Sequence, residues 1–278
     1  MYGQCATVRS GFVFALEDWN LYDFSKPWRA MTTGTHDEKL VKMADPTLRE
    51  AMVADEENHK VVYRKLRPGV GGSIEDLVVQ GVARRQELQK YVGRSLADIG
   101  HDEGKHPGEV MLDLSLATDL KAEFLGPDKG SNAEFMAELM DAPYTLPGVS
   151  DGGAHTKFFT GGAWPTDMLK WLVRDEGKVT LEEAHFRLSA LPAHAAGFRD
   201  RGVLREGAAA DVVVYDMEEL DMDPRWTGEV THDLPGGEWR RVQRAHGYKE
   251  IIVNGQTTFA DGNCTGATPG RLLRHGRG

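Results

Sequence analysis

The sequence predicts an α/β fold in two parts, helix-rich α/β over residues 1–201 and β-rich over residues 202–278. Three observations predict it. Runs with helical apolar spacing alternate with short strand-like runs in the first part. A short apolar run there ends at Asp151, and Gly152 and Gly153 follow at once. From Gly202 onward the apolar residues gather in short strands separated by Asn254-Gly255 and Asp261-Gly262, both strong turn signals.

The elements follow in order. Residues 2–16 read as strand-like, through Tyr2, Cys5, Val8 and then Phe12 to Leu16. The stretch from Asp18 to Trp28 is aromatic and irregular, more like a loop than a helix. Lys39 to Met52 has helical spacing interrupted at Asp45-Pro46, where Asp45 suits a cap and Pro46 a first helical turn. Gly69 to Gly72 is a break, Ser73 to Val79 an apolar run of mixed type, and Leu88 to Val92 ambiguous. Ser95 starts a short helix that Gly100 is placed to end. Pro107 to Leu120 and Asn132 to Met140 read as helices.

A strand then leads into Asp151, and Pro165 to Val173 is helical. Thr180-Leu181-Glu182-Glu183 matches a capping box, and its helix runs on towards a second, proline-started helix at Leu191-Pro192. Val203-Leu204, Asp211 to Asp216, Glu250 to Asn254 and Thr257 to Ala260 read as strands. Residues 217–247 are long and polar with few apolar anchors. There is no internal repeat or low-complexity tract. The order fits the last strands of a (β/α) barrel of the TIM type, followed by part of a small β-sandwich.

Composition narrows the function. Of 278 residues, 40% are apolar and 27% charged, as in a globular protein. The formal net charge of -10 argues against nucleic acid, whose phosphates call for a basic face. Cys5 and Cys264 lie far apart in no ligand spacing, so a reducing cytoplasm is expected. The N-terminal residues do not form a signal peptide, and no apolar run has the length to span a bilayer.

The most informative stretch is Val149-Ser150-Asp151-Gly152-Gly153-Ala154-His155. It sets a carboxylate at the mouth of a sheet, where α/β folds keep their chemistry. By itself Asp151 reads more simply as a turn residue or a cap. Downstream come Thr-Leu-Glu-Glu-Ala from Thr180, Leu-Pro-Ala-His from Leu191, Gly202 to Asp216, Val253-Asn254-Gly255, and a tail from Thr265 to Arg274. In this order the set resembles the closing part of the amidohydrolase superfamily, in the branch of the D-aminoacylases (N-acyl-D-amino-acid deacylases).

The resemblance implies metal-assisted hydrolysis of an amide. Zinc in such enzymes brings the pKa of bound water to about 7. An aspartate at the end of the last barrel strand takes the water's proton and delivers it to the leaving amine, and Asp151 matches that position as catalytic residue and as metal ligand. An amide nitrogen leaves only when protonated, so a shuttle is required whatever the family. His155 and Lys157 are candidates to bind a small N-acyl amino acid, Lys157 through its carboxylate. The aromatic stretch of Trp19, Tyr22 and Trp28 either lines an acyl pocket or packs in the core.

The sequence also departs from the pattern. It has no His-x-His pair, and His101 and His106 sit in a polar stretch that reads as solvated surface. One aspartate does not hold zinc, which takes about four ligands. Three states are therefore expected: a fragment beginning near the seventh barrel strand, a half that pairs with a separate chain, or an inactive relative. Other functions on the same closing segment are a cyclic-amide hydrolase of the dihydroorotase or hydantoinase kind, and a non-enzymatic interaction protein.

Overall fold

The computed structural model describes residues 1–6, 9, 12–18, 21–65, 73–126, 131–148, 156–157, 161–223 and 228–275. It is mixed α/β. The first half carries β1 (Gly3–Ala6), β2 (Phe12–Phe14), α1 (Lys26–Thr32), α2 (His36–Ala44), α3 (Pro46–Lys65), β3 (Val78–Gly81), α4 (Leu96–Glu103), α5 (Pro107–Ala117) and β4 (Glu123–Gly126). Then come α6 (Ala133–Asp141), β5 (Thr145–Gly148), α7 (Trp164–Met168), α8 (Leu181–His185) and α9 (Leu191–Ala195). The remaining strands are β6 (Val212–Tyr215), β7 (Asp221–Met222), β8 (Glu229–Thr231), β9 (Arg240–Val242), β10 (Ala245–His246), β11 (Tyr248–Val253), β12 (Gln256–Ala260) and β13 (Asn263–Cys264). The chain divides into two compact units. No described helix is long and apolar enough to cross a membrane.

One unit is Ser10–Gly130 with Lys157–Phe159. Its sheet is antiparallel in the order β2-β4-β3, with Phe14 opposite Phe124 and Val79 opposite Phe124. The core gathers Trp28, Met31, Met43, Met52, Met111 and Phe124, each fully buried. Apolar burial of this kind contributes about 25 cal/mol per Å2 removed from water. Tyr22 and Trp28 belong to this core, with ring centroids 5.4 Å apart. Tyr22 and Trp28 therefore pack inside while Phe24 stays exposed, and α1 begins within their stretch, capped by Ser25, whose Oγ accepts from the Trp28 amide. Trp19 lies outside the described residues.

Local capping decides the helix ends. Asp45 Oδ1 accepts from the Thr47 and Leu48 amides at 2.8 and 3.3 Å, so α3 starts at Pro46 as its sequence suggests. Ser95 caps α4, but Gly100 does not end it; Gly104 does, at a left-handed φ of 65°. Gly100 is needed inside the helix because a Cβ there would meet the Lys105 carbonyl oxygen at 2.6 Å. His106 is the N-cap of α5, where Nδ1 accepts from the Gly108 amide at 3.1 Å and Glu109 closes the box. It is thus part of the structure and not solvated surface, whereas His101 is exposed.

The other unit is Met1–Arg9, Ser131–Thr156 and Thr160–Gly278. Here β1 and β5 run parallel, pairing from Gly3 with Thr145 to Ala6 with Gly148. Parallel neighbours need a crossover, and the intervening chain supplies a long one. A second apolar core holds Met140, Met168, Leu172, Ala184 and Leu220. Helical structure continues past α7 through Leu169–Asp175 in wider turns, closed by the Glu176 amide on the Trp171 carbonyl at 2.9 Å. Thr180 caps α8 through the Glu183 amide at 3.2 Å, while the Glu183 carboxylate turns to Arg187 instead of completing a box. Wider turns also span Phe186–Ala190, just before Pro192, whose missing amide proton breaks the regular ladder.

The last sheet is antiparallel in the order β13-β12-β11-β6. Asn254 and Gly255 turn β11 into β12 with φ of 46° and 79°, the pair of positive values that a two-residue hairpin prefers. Val203-Leu204 is no strand but an exposed bend. Two apolar residues without an alternating partner run leave it nothing to pair with. Residues 217–247 are anchored by fully buried Leu220 and by two small ladders, β7 with β10 and β8 with β9.

Candidate functional site

The expected site begins where β5 ends. Asp151 and His155 lie outside the described residues, so the frame around them is what the structure defines. On the near side, Gly148 is held by its pairing with Ala6. On the far side, the Thr156 carbonyl accepts from the Arg241 amide at 2.8 Å. Lys157 follows in the same turn, is half-buried, and opens the short segment Lys157–Phe159 that is counted with the other unit.

Buried charge reinforces the frame. Arg187, 4% exposed, donates from Nη1 to the carbonyls of Ala142 at 2.8 Å and Thr145 at 3.3 Å, and from Nη2 to Asp141. It thereby satisfies the orphan carbonyls at the end of α6 and fixes the start of β5. Arg9, three residues past β1, forms a two-pronged ion pair with Asp167 in α7. Its Cζ lies 4.5 Å from the Trp171 ring centroid. Beside Asp167, Thr166 Oγ1 meets the Tyr248 hydroxyl at 2.8 Å. Farther along, Lys170 pairs with Asp221, and Arg174 donates to the Leu220 carbonyl at 2.7 Å.

Cys5 stands in β1 opposite Pro147. Burial pushes its thiol pKa up and outweighs the positive charge of Arg187. A thiol held protonated in this way is a poor nucleophile and a poor ligand at neutral pH.

The described residues do not build a metal site by themselves. Among them, no group of three or more His, Cys, Asp or Glu is placed to hold an ion. Several histidines are engaged elsewhere: His185 with the Tyr215 hydroxyl at 2.6 Å, His246 with Asp223 at 2.9 Å, and His275 with the Ala196 carbonyl at 2.8 Å.

Arg9, Asp167 and Arg187 did not stand out in the sequence. Arg187 carried a usable sign, since it sits four residues after Glu183 on one helix face. The contact between Arg9 and Asp167 spans 158 residues and left no local trace.

Comparison with known proteins places the chain. The model of the amidohydrolase family matches residues 81–259, more than half of the sequence. The protein belongs to the amidohydrolase family. Among curated proteins it is similar to the N-acyl-D-aspartate deacylase of Alcaligenes xylosoxydans xylosoxydans, 29% identical over 182 residues that make up 62% of this chain and 33% of that one. The N-acyl-D-glutamate deacylase of the same organism is 35% identical over 109 residues, 39% of this chain and 20% of that one. The chain spans about a third or less of the length of these relatives. Among solved structures, a D-aminoacylase mutant in complex with copper chloride aligns at TM-score 0.43 and 24% identity, over 72% of this chain and 38% of that one. The N-acyl-D-glutamate deacylase of Bordetella bronchiseptica, complexed with zinc and a phosphonate inhibitor, aligns at TM-score 0.39 and 21% identity, over 83% of this chain and 52% of that one.

Proposed function

We propose that this chain is the closing part of a metal-dependent hydrolase of non-peptide C–N bonds, most specifically an N-acyl-D-amino-acid deacylase. The family match over residues 81–259, which spans the Ser-Asp-Gly-Gly sequence after β5, carries the reading. In this reading β1 and β5 are the last two strands of a (β/α) barrel within residues 1–201, and the β6-to-β13 sheet is part of a sandwich within 202–278. Asp151 takes the proton of the attacking water and returns it to the amide nitrogen, which then leaves as a neutral amine. His155 and Lys157 bind the substrate, Lys157 at its carboxylate. Among the described residues no group is placed to hold the zinc that the sequence resemblance implies, so its ligands, Asp151 among them, come from outside those residues, in the same polypeptide or in a separate chain. The protein works in the cytoplasm on a small soluble substrate.

The test is hydrolysis of N-acetyl-D-glutamate and N-acetyl-D-methionine by the natural gene product with zinc. Turnover with retained metal supports the reading. Turnover of a dihydropyrimidine ring instead supports the cyclic-amide alternative. No turnover and no retained metal leave a non-catalytic member of the family.

A further inference from the structure

Two hairpin turns of the last sheet carry an acidic or amide residue followed by glycine: Asn254-Gly255 between β11 and β12, and Asp261-Gly262 between β12 and β13. Their backbones match. The φ angles are 46° and 79° in the first turn and 45° and 76° in the second, the left-handed pair that such turns prefer. Their surroundings differ.

The chemistry open to such a pair is a slow ring closure. The glycine amide nitrogen attacks the side-chain carbonyl carbon of the residue before it and gives up its proton. From asparagine the leaving group is ammonia, and from a protonated aspartic acid it is water. Water then opens the five-membered imide at either carbonyl. One opening gives an ordinary aspartate, the other an isoaspartate, in which the main chain runs through the side-chain carbon. Glycine has no Cβ to hinder the attack. In an open chain, asparagine closes faster than aspartate.

The first turn holds the atoms that closure needs. Asn254 Nδ2 donates to the Pro269 carbonyl at 2.7 Å, and Oδ1 accepts from Arg201 Nη2 at 3.1 Å. The Gly255 amide, which would attack, donates to the Ala210 carbonyl at 2.8 Å. Closure has to break these three bonds together. In the second turn the contacts hold other atoms. The Asp261 amide donates to the Lys249 carbonyl at 2.8 Å, and the Asp261 carbonyl accepts from Asn263 Nδ2 at 3.1 Å. Among the described residues, no hydrogen bond engages the Asp261 carboxylate or the Gly262 amide, and both residues are exposed.

We propose that Asp261-Gly262 is a site of spontaneous isoaspartate formation in this protein, and that Asn254-Gly255, the faster sequence in an open chain, is kept intact by the clasp of Arg201, Ala210 and Pro269. The placement limits the damage. Strand β13 has two residues and lies at the sheet edge, whereas a lengthened main chain at Asn254 would part β11 from β12 in the middle. The modification is independent of the reaction proposed above.

The test ages the full chain in warm neutral buffer, folded and in guanidinium. Deamidation is read from the peptide mass, and isoaspartate from enzymatic methylation and separation of the isomeric peptides. In the folded parent, isoaspartate is expected to build up at Asp261 while Asn254 keeps its amide; in guanidinium the order reverses. Asp261→Asn puts the same Asn-Gly pair in both turns, and position 261 is expected to deamidate at least ~10-fold faster than Asn254. Arg201→Met opens the clasp at Oδ1 and is expected to speed deamidation at Asn254 ~3–10-fold in protein shown to be folded by its thermal transition. Equal rates at the two positions of folded Asp261→Asn overturn the proposal. So does a folded parent that deamidates at Asn254 first, or one that stays unchanged at Asp261 while the unfolded chain is converted there. An unchanged rate at Asn254 in folded Arg201→Met overturns the clasp. If Arg201→Met does not fold, the comparison within Asp261→Asn decides.

Discussion

Asp211 accepts the backbone amide of Asn254 at 2.8 Å across 43 residues of sequence. The same carboxylate pairs with Arg201, whose Nη2 reaches the Asn254 side chain at 3.1 Å. The aspartate that opens β6 thus sets the hairpin turn between β11 and β12. Asp211→Ala leaves that exposed amide to water and is expected to lower stability by about 0.5–1.5 kcal/mol in urea unfolding.

Arg187 is the larger structural risk. Its loss frees the carbonyls of Ala142 and Thr145 at the entry to β5. Its partner Glu183 is 42% exposed, so screening by water removes most of that pair's share. Arg187→Met is expected to cost about 2–4 kcal/mol, chiefly through the carbonyl contacts, in the same urea assay.

Gly247 has φ of 86°, and a Cβ there would meet backbone atoms of Glu219 and Leu220 at 2.7 Å. Backbone cannot step aside as a side-chain tip can. Gly247→Ala is expected to destabilise by about 2–4 kcal/mol, the sum of left-handed strain and the shift forced on the backbone of Glu219 and Leu220 just before β7, measured as a drop in Tm.

Asp113 tests the acid limb. Burial raises its carboxyl, but hydrogen bonds from Lys105 and Arg49 outweigh this and hold it below its ordinary value of 3.8. A depressed carboxyl contributes stability above its unfolded pKa and loses it as pH falls through the folded one. The Tm difference between the parent and Asp113→Asn is therefore expected to be full at neutral pH and to shrink below the ordinary value of 3.8. A difference independent of pH rules out this ion-pair account.

Much of the fold was legible because its signals are local. Asp45-Pro46, Ser95, Thr180 and Asn254-Gly255 each act within a few residues, and each does what its type suggests. Gly100 misled because its missing side chain makes room for Lys105 rather than ending a helix. His106 looked like surface because a histidine cap is rarer than a serine or aspartate one. Val203-Leu204 looked like a strand on apolarity alone, with no partner run to pair with. At the site, the Ser-Asp-Gly-Gly sequence after β5 stands out as a motif, and it lies outside the described residues. Arg9 and Asp167 do not stand out, since only folding brings them together.

The central claim is that Asp151 moves the proton in amide cleavage. The most direct measurement is the rate of N-acetyl-D-glutamate hydrolysis by the zinc-loaded natural gene product and by its Asp151→Asn variant, with metal content and Tm recorded for both. The account predicts hydrolysis by the parent and a fall of ~10²–10⁴-fold in the folded variant. Equal rates from both proteins, or a parent that binds zinc and hydrolyses nothing, would contradict it.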